Sequence, residues 1–193
     1  PVVSSAASDV YKRQGVWWSG SENDVLPAGD KATGYKALAF HAVNSDFPIF
    51  DDIQKFVVDR GKAAGAGDQI GTVLYNRGMY NAMLITEAAR TAQAIAGKSN
   101  ISQADMIKGF EALEMTEEKM AALGLPGFGP SFSVSCENHG GDGMVAVAQW
   151  DAGAGKWSIV SDFQASDMSV IQPLIDADSG AFASENNLSP NCN

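Results

Sequence analysis

A long apolar pattern at residues 71–96 organises the expected fold. It begins with a β-branched segment, changes at the polar, glycine-containing residues 76–78, and continues with Ala and Met at helical spacing. The pattern predicts a strand at 71–74, a turn, and a helix that Gly97 ends. In such an arrangement the last strand residues and the first free amides of the helix face one cleft. The candidate ligand contacts at this junction are Tyr75, Asn76 and Arg77.

Three further elements are expected before this segment. Residues 15–18 end a buried strand that leads into the polar loop 19–24, where Asp24 is a candidate helix cap. Residues 35–40 predict a second strand whose apolar run indicates burial on both faces. Residues 47–60 predict a helix with acidic residues in its first turns. The apolar side chains at helical spacing on that helix are Ile49, Ile53, Phe56 and Val57.

The second half of the chain changes from helices to strands. Ser102 and Asp105 have the spacing of a capping box for a helix that ends near residue 114. Thr116 begins a shorter helix, which glycine and proline terminate at 124–126. A strand at 127–136 and a hairpin follow, and the tail at 169–187 is weakly helical. The hairpin strands are 144–150 and 156–163. Parallel βα units followed by an antiparallel hairpin predict an α/β fold.

Charge and composition restrict the function. The chain has 193 residues and a net charge of −10, with 45% hydrophobic residues. Nucleic acid and anionic membranes are disfavoured as main partners because both bind proteins through clustered Lys and Arg. No apolar run approaches the ~20 residues of a membrane span, and no signal-peptide pattern is present. Residues 1–14 lack any strand or helix period, so we interpret them as a non-native or disordered leader.

The loop at 19–24 has the composition of a polar ligand site. Ser19 and Gly20 let a ligand approach the backbone, and Glu22 can pair with an ammonium group. The alternative is a solvated loop before a capped helix. Adjacent strand residues point to opposite faces, so one of Trp17 and Trp18 is expected to line a cleft.

The junction residues also have ordinary structural alternatives. Arg77 either holds a carboxylate with its planar fork or makes a surface salt bridge worth under about 1 kcal/mol. Tyr75 either contacts a ligand or packs in the core with its hydroxyl hydrogen-bonded. The packed role is the one expected for Tyr80, which shares a helix face with Met83.

Histidine and cysteine usage argues against a metal centre. The only histidines are His41 and His139, and the only cysteines, Cys136 and Cys192, lack metal-site spacing. If the cysteines pair, the loop they close would contribute roughly 4 kcal/mol. The loop at 137–143 carries oxygen ligands without EF-hand spacing, which indicates a turn. No nucleophile or nucleotide-binding motif is found, so we expect no metal, no cofactor and no enzymatic activity.

Five segments together resemble periplasmic substrate-binding proteins of ABC importers, of the branched-chain amino acid type. They are WWSGSEND, DFPIFDDIQKFV, YNRGMYNAMLITEA, LGLPGFGPSFSV and AVAQWDAGAGKWSIV. In that family two Rossmann-like lobes close around a solute. The resemblance implies the C-terminal half of a type I periplasmic binding fold, so an incomplete one. Residues 15–70 and 127–193 would belong to the C-terminal lobe, and 71–126 to a hinge crossing and helices of the N-terminal lobe.

The resemblance also implies a binding site. The family's acidic residue for an ammonium follows the strand that GVWW resembles, where this chain has Ser19. Glu22 or Asp24 could substitute, or the solute could be an amide, a urea-like molecule or an organic acid, and an anion would suit Arg77. The implied ligand-binding residues are Trp18, Ser19, Gly20, Glu22, Tyr75, Asn76 and Arg77. A Cys136–Cys192 disulfide would fit an oxidising compartment.

The implied function is that of an extracytoplasmic solute receptor. Its partners would be a small polar solute and the transmembrane subunits of an ABC permease, with no nucleic acid and no direct membrane span. The implied location is periplasmic, or extracellular and lipid-anchored in a Gram-positive cell. One alternative is a ligand-sensing regulatory domain on the same scaffold. A less favoured one is an amide or ester hydrolase centred on His139 and Asp142.

Overall fold

The computed structural model describes residues 14–15, 17–189 and 192 of the chain. Within these residues, six strands and six α-helices form the regular structure. The strands are β1 Gln14–Gly15, β2 Lys36–Ala39, β3 Glu114–Met115, β4 Phe132–Ser133, β5 Ala146–Asp151 and β6 Lys156–Ile159. The helices are α1 Glu22–Val25, α2 Pro48–Ile53, α3 Val73–Ala96, α4 Gln103–Glu111, α5 Glu117–Ala122 and α6 Met168–Glu185. Short 3₁₀ segments lie at Trp17–Ser19 and Leu26–Ala32.

The larger sheet has the order β1-β2-β5-β6. Strand β1 runs parallel to β2, whereas the pairs β2–β5 and β5–β6 are antiparallel. The β5–β6 pair, with Trp150 opposite Trp157, is the hairpin that the sequence predicted. The mixed α/β fold with a late antiparallel hairpin is therefore confirmed. The leader assigned to residues 1–14 lies outside the described residues except for Gln14. This residue belongs to β1 and pairs with Lys36 of β2.

One face of this sheet covers the first hydrophobic cluster. Buried small residues of β2 and β5 pack there with the two hairpin tryptophans and with Val25 and Val73. The opposite face is open: Leu38 is 37% exposed and Val160 is 51% exposed. The prediction that β2 is buried on both faces is therefore wrong for this structure, because side chains alternate along a strand and only one face is covered here.

A second hydrophobic cluster lies among the helices. It contains residues of α2, α3 and α5 and of the connections around them. Its most buried side chains are Met115, Met120, Leu125 and Phe128. Helices α3 and α4 pack closely beside it, because a Cβ atom at Gly109 would lie 2.2 Å from the carbonyl oxygen of Ala88. Glycine is therefore required where these two backbones meet.

The start of α3 differs from the prediction. The chain has no strand at 71–74 within the described residues; the helix begins at Val73 and runs through residues 76–78 without a turn. Thr72 is the N-cap, and its side chain accepts a hydrogen bond from Tyr75 N at 3.4 Å. The β-branched residues suggested a strand, but a threonine cap outweighs that preference and one glycine inside a helix costs only about 1 kcal/mol.

The other helices follow their local signals. Gly97 ends α3 in the left-handed conformation, and Ser102 with Asp105 forms the predicted capping box of α4. Thr116 caps α5, and α6 forms in the tail. Helix α2 continues as a π-helical turn at Gln54–Val58. Phe56 on this turn is 43% exposed and lies beside Lys55 and Arg60 instead of in the predicted core face.

Candidate ligand-binding site

The segment Trp17–Ser19 folds as a 3₁₀ turn and not as the end of a strand. The indole rings of Trp17 and Trp18 consequently stack on each other, with centroids 3.9 Å apart, and do not point to opposite faces. Trp18 is 70% exposed. The exposed indole of Trp18, stacked on Trp17, offers an aromatic surface on which a ligand can stack.

Arg77 extends from the first turns of α3 to this aromatic pair. Its guanidinium carbon lies 4.8 Å from the Trp17 ring centroid, 5.7 Å from that of Phe40 and 6.0 Å from that of Trp18. Its Nη2 donates a hydrogen bond to the Trp17 carbonyl at 2.8 Å. Burial lowers the pKa of Arg77, and the charge of Asp24 opposes that shift. Arg77 is thus a positively charged group held among aromatic rings.

The two carboxylates predicted to receive an ammonium group are both engaged within the protein. Glu22 accepts hydrogen bonds from Val73 N at 3.3 and 3.2 Å, which places its charge at the positive end of the α3 dipole. Asp24 is not the helix cap that the sequence suggested. It lies inside α1 and accepts bonds from Ser21 N and Ser21 Oγ at 2.9 and 2.6 Å.

Ser19 and Gly20 lie against strand β2. Tyr35 Oη donates a hydrogen bond to Ser19 Oγ at 3.2 Å. A Cβ atom at Gly20 would lie 2.7 Å from Ala37 Cβ, so a larger residue would push this loop away from the sheet. The small residues therefore serve the approach of the loop to β2, and the sequence pattern gave no sign of Tyr35 as their partner.

Asn76 and Tyr75 connect α3 to the second hydrophobic cluster. Asn76 is fully buried, and its Nδ2 donates to the carbonyls of Ala42 and Asn44 at 3.0 and 2.8 Å. Within the described part of the chain, Asn76 Oδ1 is buried without a hydrogen-bond partner. Tyr75 packs edge-on against Phe50, with ring centroids 5.8 Å apart. Ser19 and Tyr75 thus have different neighbours, and their joint contact with one ligand stays a prediction.

His41 is a buried group that the sequence analysis did not assign. It is 1% exposed and stacks on Phe128, with ring centroids 5.8 Å apart. Burial lowers its pKa to about 4, the hydrogen-bonding contact of its Nδ1 with the Ala42 carbonyl acts in the opposite direction, and the charge of Arg77 adds to the lowering. His41 is therefore neutral near pH 7. Its neighbour Tyr80 is also shifted, since burial raises its pKa to about 12.

Cavities border several of these elements. One of about 360 Å³ lies beside the start of α3, with Glu22, Asn44, Asp46, Thr72 and Lys156 among its lining residues. Another, of about 280 Å³, lies between α3 and the loop after β4. Its lining includes Phe40, Tyr80, Phe132, His139 and Asp142. The position of the 137–143 loop beside the aromatic rings of this cavity was not predicted, because the composition of the loop indicated only a turn.

The solved structures that the chain resembles include the following two. One, from the Pseudomonas fluorescens group, is described as an ABC transporter permease; it is 36% identical with a TM-score of 0.84, over 93% of this chain and 43% of that one. The chain is similar to ABC transporter proteins. A second, a branched chain amino acid ABC transporter from Thermus thermophilus with bound valine, is 19% identical with a TM-score of 0.57, over 80% of this chain and 39% of that one.

These similarities concern less than half of each solved protein. The chain spans 43% of the length of the Pseudomonas protein. The similarity to the Thermus protein supports the fold and nothing beyond it. No protein-family model and no curated protein matches the chain. Among the described residues, no helix is both long and apolar enough to cross a membrane.

Proposed function

We propose that this chain is part of an extracytoplasmic solute receptor that delivers a small polar molecule to an ABC permease. The observation that carries the proposal is the similarity to an ABC transporter protein at 36% identity and a TM-score of 0.84. Binding leaves the solute chemically unchanged. It shifts the receptor towards a closed form, which the permease recognises.

Two packing units support a two-lobed receptor. Val73 belongs to the hydrophobic cluster of the large sheet, whereas Met83 on the same helix belongs to the second cluster. We therefore place the lobe crossing at the first turns of α3, within the proposed segment 71–126. The proposal assigns residues 15–70 and 127–193 to the other lobe, although Phe47 and Phe50 of the first range pack in the second cluster.

Exposed apolar surface supports the proposal that this chain is part of a larger protein. Besides the open face of the sheet, helices α3 and α4 expose large apolar side chains. They are Ile85, Ile95, Ile107 and Phe110. Soluble proteins rarely leave such surface open to water, so these faces are expected to be covered by the rest of the receptor.

The proposed solute contacts are the exposed indole of Trp18, the Ser19–Gly20 loop and the residues at the start of α3. Glu22 and Asp24 are used within the protein, which leaves Arg77 as the charged group beside the indole. A solute with a carboxylate or another polar acceptor group fits this arrangement, whether an amino acid, an amide or a related molecule.

Calorimetric titration of the complete receptor tests this function. Amino acids, amides and short organic acids are added singly, and one class is expected to bind with 1:1 stoichiometry. Each solute is then recovered and analysed, and it is expected to be unchanged. A well-folded receptor that binds none of them, or that hydrolyses an amide or ester, would contradict the proposal.

A further inference from the structure

A group of potential metal ligands borders the second hydrophobic cluster. One ligating atom each from Glu111, Cys136 and His139 lie within 4.8 Å of one another. His139 Nε2 is 3.6 Å from Glu111 Oε1. Cys136 is joined to Cys192 by a disulfide. None of these residues belongs to the proposed solute site.

The small sheet brings the three residues together. Strand β3 pairs antiparallel with β4, with Glu114 opposite Ser133. Glu111 lies three residues before Glu114, and Cys136 lies three residues after Ser133. The bond from Val134 N to the Leu113 carbonyl at 2.9 Å extends this pairing by one residue. Glu111, at the end of helix α4, and Cys136 therefore both lie just beyond the paired strands, at the same end of the small sheet.

A tight turn then returns His139 to the same place. Ser135 N donates to the Asn138 carbonyl at 3.1 Å, and Asn138 N donates to the Ser135 carbonyl at 3.2 Å. Asn138 N also lies 3.1 Å from Ser135 Oγ. These bonds bracket Cys136 and fix a Cys-x-x-His arrangement, a spacing that suits two ligands of one metal ion.

We propose that opening the Cys136–Cys192 disulfide creates a Zn²⁺-type metal site formed by Cys136, His139 and Glu111. In the disulfide, the Cys136 sulfur is neutral and bonded to carbon and sulfur, so it is a poor ligand. As a thiolate it becomes a strong one. The disulfide and the metal site are mutually exclusive states of the same sulfur.

The opening step requires a dithiol reductant. Its thiolate attacks one sulfur of the disulfide, the sulfur–sulfur bond breaks, and two electrons pass to the protein while the reductant becomes its own disulfide. Cys136 and Cys192 each take up one proton as thiols. Metal binding then releases the Cys136 proton to solvent, and a water molecule fills the fourth position.

The ligand set selects the metal. Thiolate, imidazole and carboxylate in one site suit Zn²⁺, whereas Ca²⁺ and Mg²⁺ prefer oxygen ligands alone. Ligand atoms around tetrahedral Zn²⁺ lie about 3.5 Å apart, so the present separations of up to 4.8 Å must shorten by about 1.3 Å at most. The His139 side chain is 69% exposed and free to make that movement.

The surroundings also favour binding. Glu111 and His139 border an apolar cavity of about 310 Å³, whose other walls include Leu84, Phe110 and Leu113. An apolar wall reduces the competition from water and strengthens the attraction between a cation and its ligands.

Two single variants test the proposal without any reductant. Cys192→Ser leaves the Cys136 thiol beside His139 and Glu111, whereas Cys136→Ser leaves only the Cys192 thiol in the tail. Both remove the same disulfide, so a general loss of stability affects them alike. Co²⁺ is titrated as the probe, because a Co²⁺–thiolate bond gives a charge-transfer absorption that carboxylate and imidazole ligands alone do not give.

Cys192→Ser is expected to bind Co²⁺ at least ~10-fold more tightly than Cys136→Ser, with the thiolate band. Adding His139→Ala to Cys192→Ser is expected to weaken binding by about 10- to 100-fold. Equal binding by the two cysteine variants, or no effect of His139→Ala, would overturn the proposal. If Cys192→Ser does not fold, the wild-type protein reduced under argon and freed of reductant gives the same readout against its oxidised form.

Discussion

The two ends of helix α3 are stabilised in different ways. At its beginning, buried polar groups bind partners far away in the sequence: Val73 N binds Glu22, Asn76 binds the 42–44 loop, and Arg77 binds the Trp17 carbonyl. At its other end, Ala88 and Ala92 are fully buried against the glycine of α4. The first end depends on specific polar pairing, and the second on close packing of small residues.

The largest expected effect is at the closely packed end. Gly109→Ala places a Cβ atom 2.2 Å from the Ala88 carbonyl oxygen, so α3 and α4 must separate. We expect the free energy of unfolding to fall by about 3 kcal/mol in denaturant titrations. Gly78→Ala is the matched control, because its Cβ meets no atom within 4 Å. It should stabilise the protein by about 0.5–1 kcal/mol, and a loss in both variants alike would refute the packing argument.

His41 makes the stability of the protein depend on pH. Its pKa is about 4 in the folded protein and 6.5 in the unfolded chain. The unfolded state therefore binds the proton more readily, and stability is lost as the pH falls from about 6.5 to about 4. The loss attributable to His41 is on the order of 3 kcal/mol. Since carboxylates also titrate, the measurement is the difference between wild type and His41→Phe; parallel stability–pH curves would contradict the assignment.

Asn76 tests the polar pairing itself. Asn76→Ala removes both donors to the carbonyls of Ala42 and Asn44 and leaves these acceptors without that partner. The free energy of unfolding should fall by about 2 kcal/mol. Gln93 is the control on the same helix, since its side chain donates to the Ser99 carbonyl at an exposed position. Gln93→Ala should cost under about 1 kcal/mol, and an equal loss at both positions would show that burial adds nothing.

The smallest effect is expected at Glu22. Glu22→Gln keeps the size of the side chain but removes the negative charge at the N-terminus of α3. We expect a loss of about 0.5–1 kcal/mol at low salt that shrinks as salt is added. Thermal unfolding at two salt concentrations measures it. A loss that is independent of salt would indicate lost packing in place of a charge–dipole interaction.

The same contrast explains what the sequence could predict. Gly97, the Ser102–Asp105 capping box and the β5–β6 hairpin depend on residues close together in the chain, and all three were predicted. The start of α3 was not, because the β-branched residues Thr72 and Val73 also favour a strand locally, and part of the stabilisation of the helix start comes from Glu22, 51 residues away.

The candidate site was harder to predict for the same reason. The stacking of Trp17 on Trp18 follows from a 3₁₀ turn. The sequence prediction assumed a strand, in which adjacent side chains point to opposite faces. The contact of Arg77 with Trp17 joins residues 60 positions apart. The sequence predicted no metal site, because the Glu111–Cys136–His139 cluster forms only when the β3–β4 pairing brings the end of α4 beside the segment after β4.

The proposed function requires that the start of α3 and the exposed indole of Trp18 bind a solute. The most direct measurement is a dissociation constant for the proposed complete receptor and the solute found by calorimetric titration, in the wild type, in Arg77→Ala and in Arg90→Ala. The last variant changes an arginine paired with Glu87 on the same helix. We predict that Arg77→Ala weakens binding by about 10- to 100-fold and that Arg90→Ala leaves it unchanged. Equal affinity in the wild type and Arg77→Ala would contradict the account.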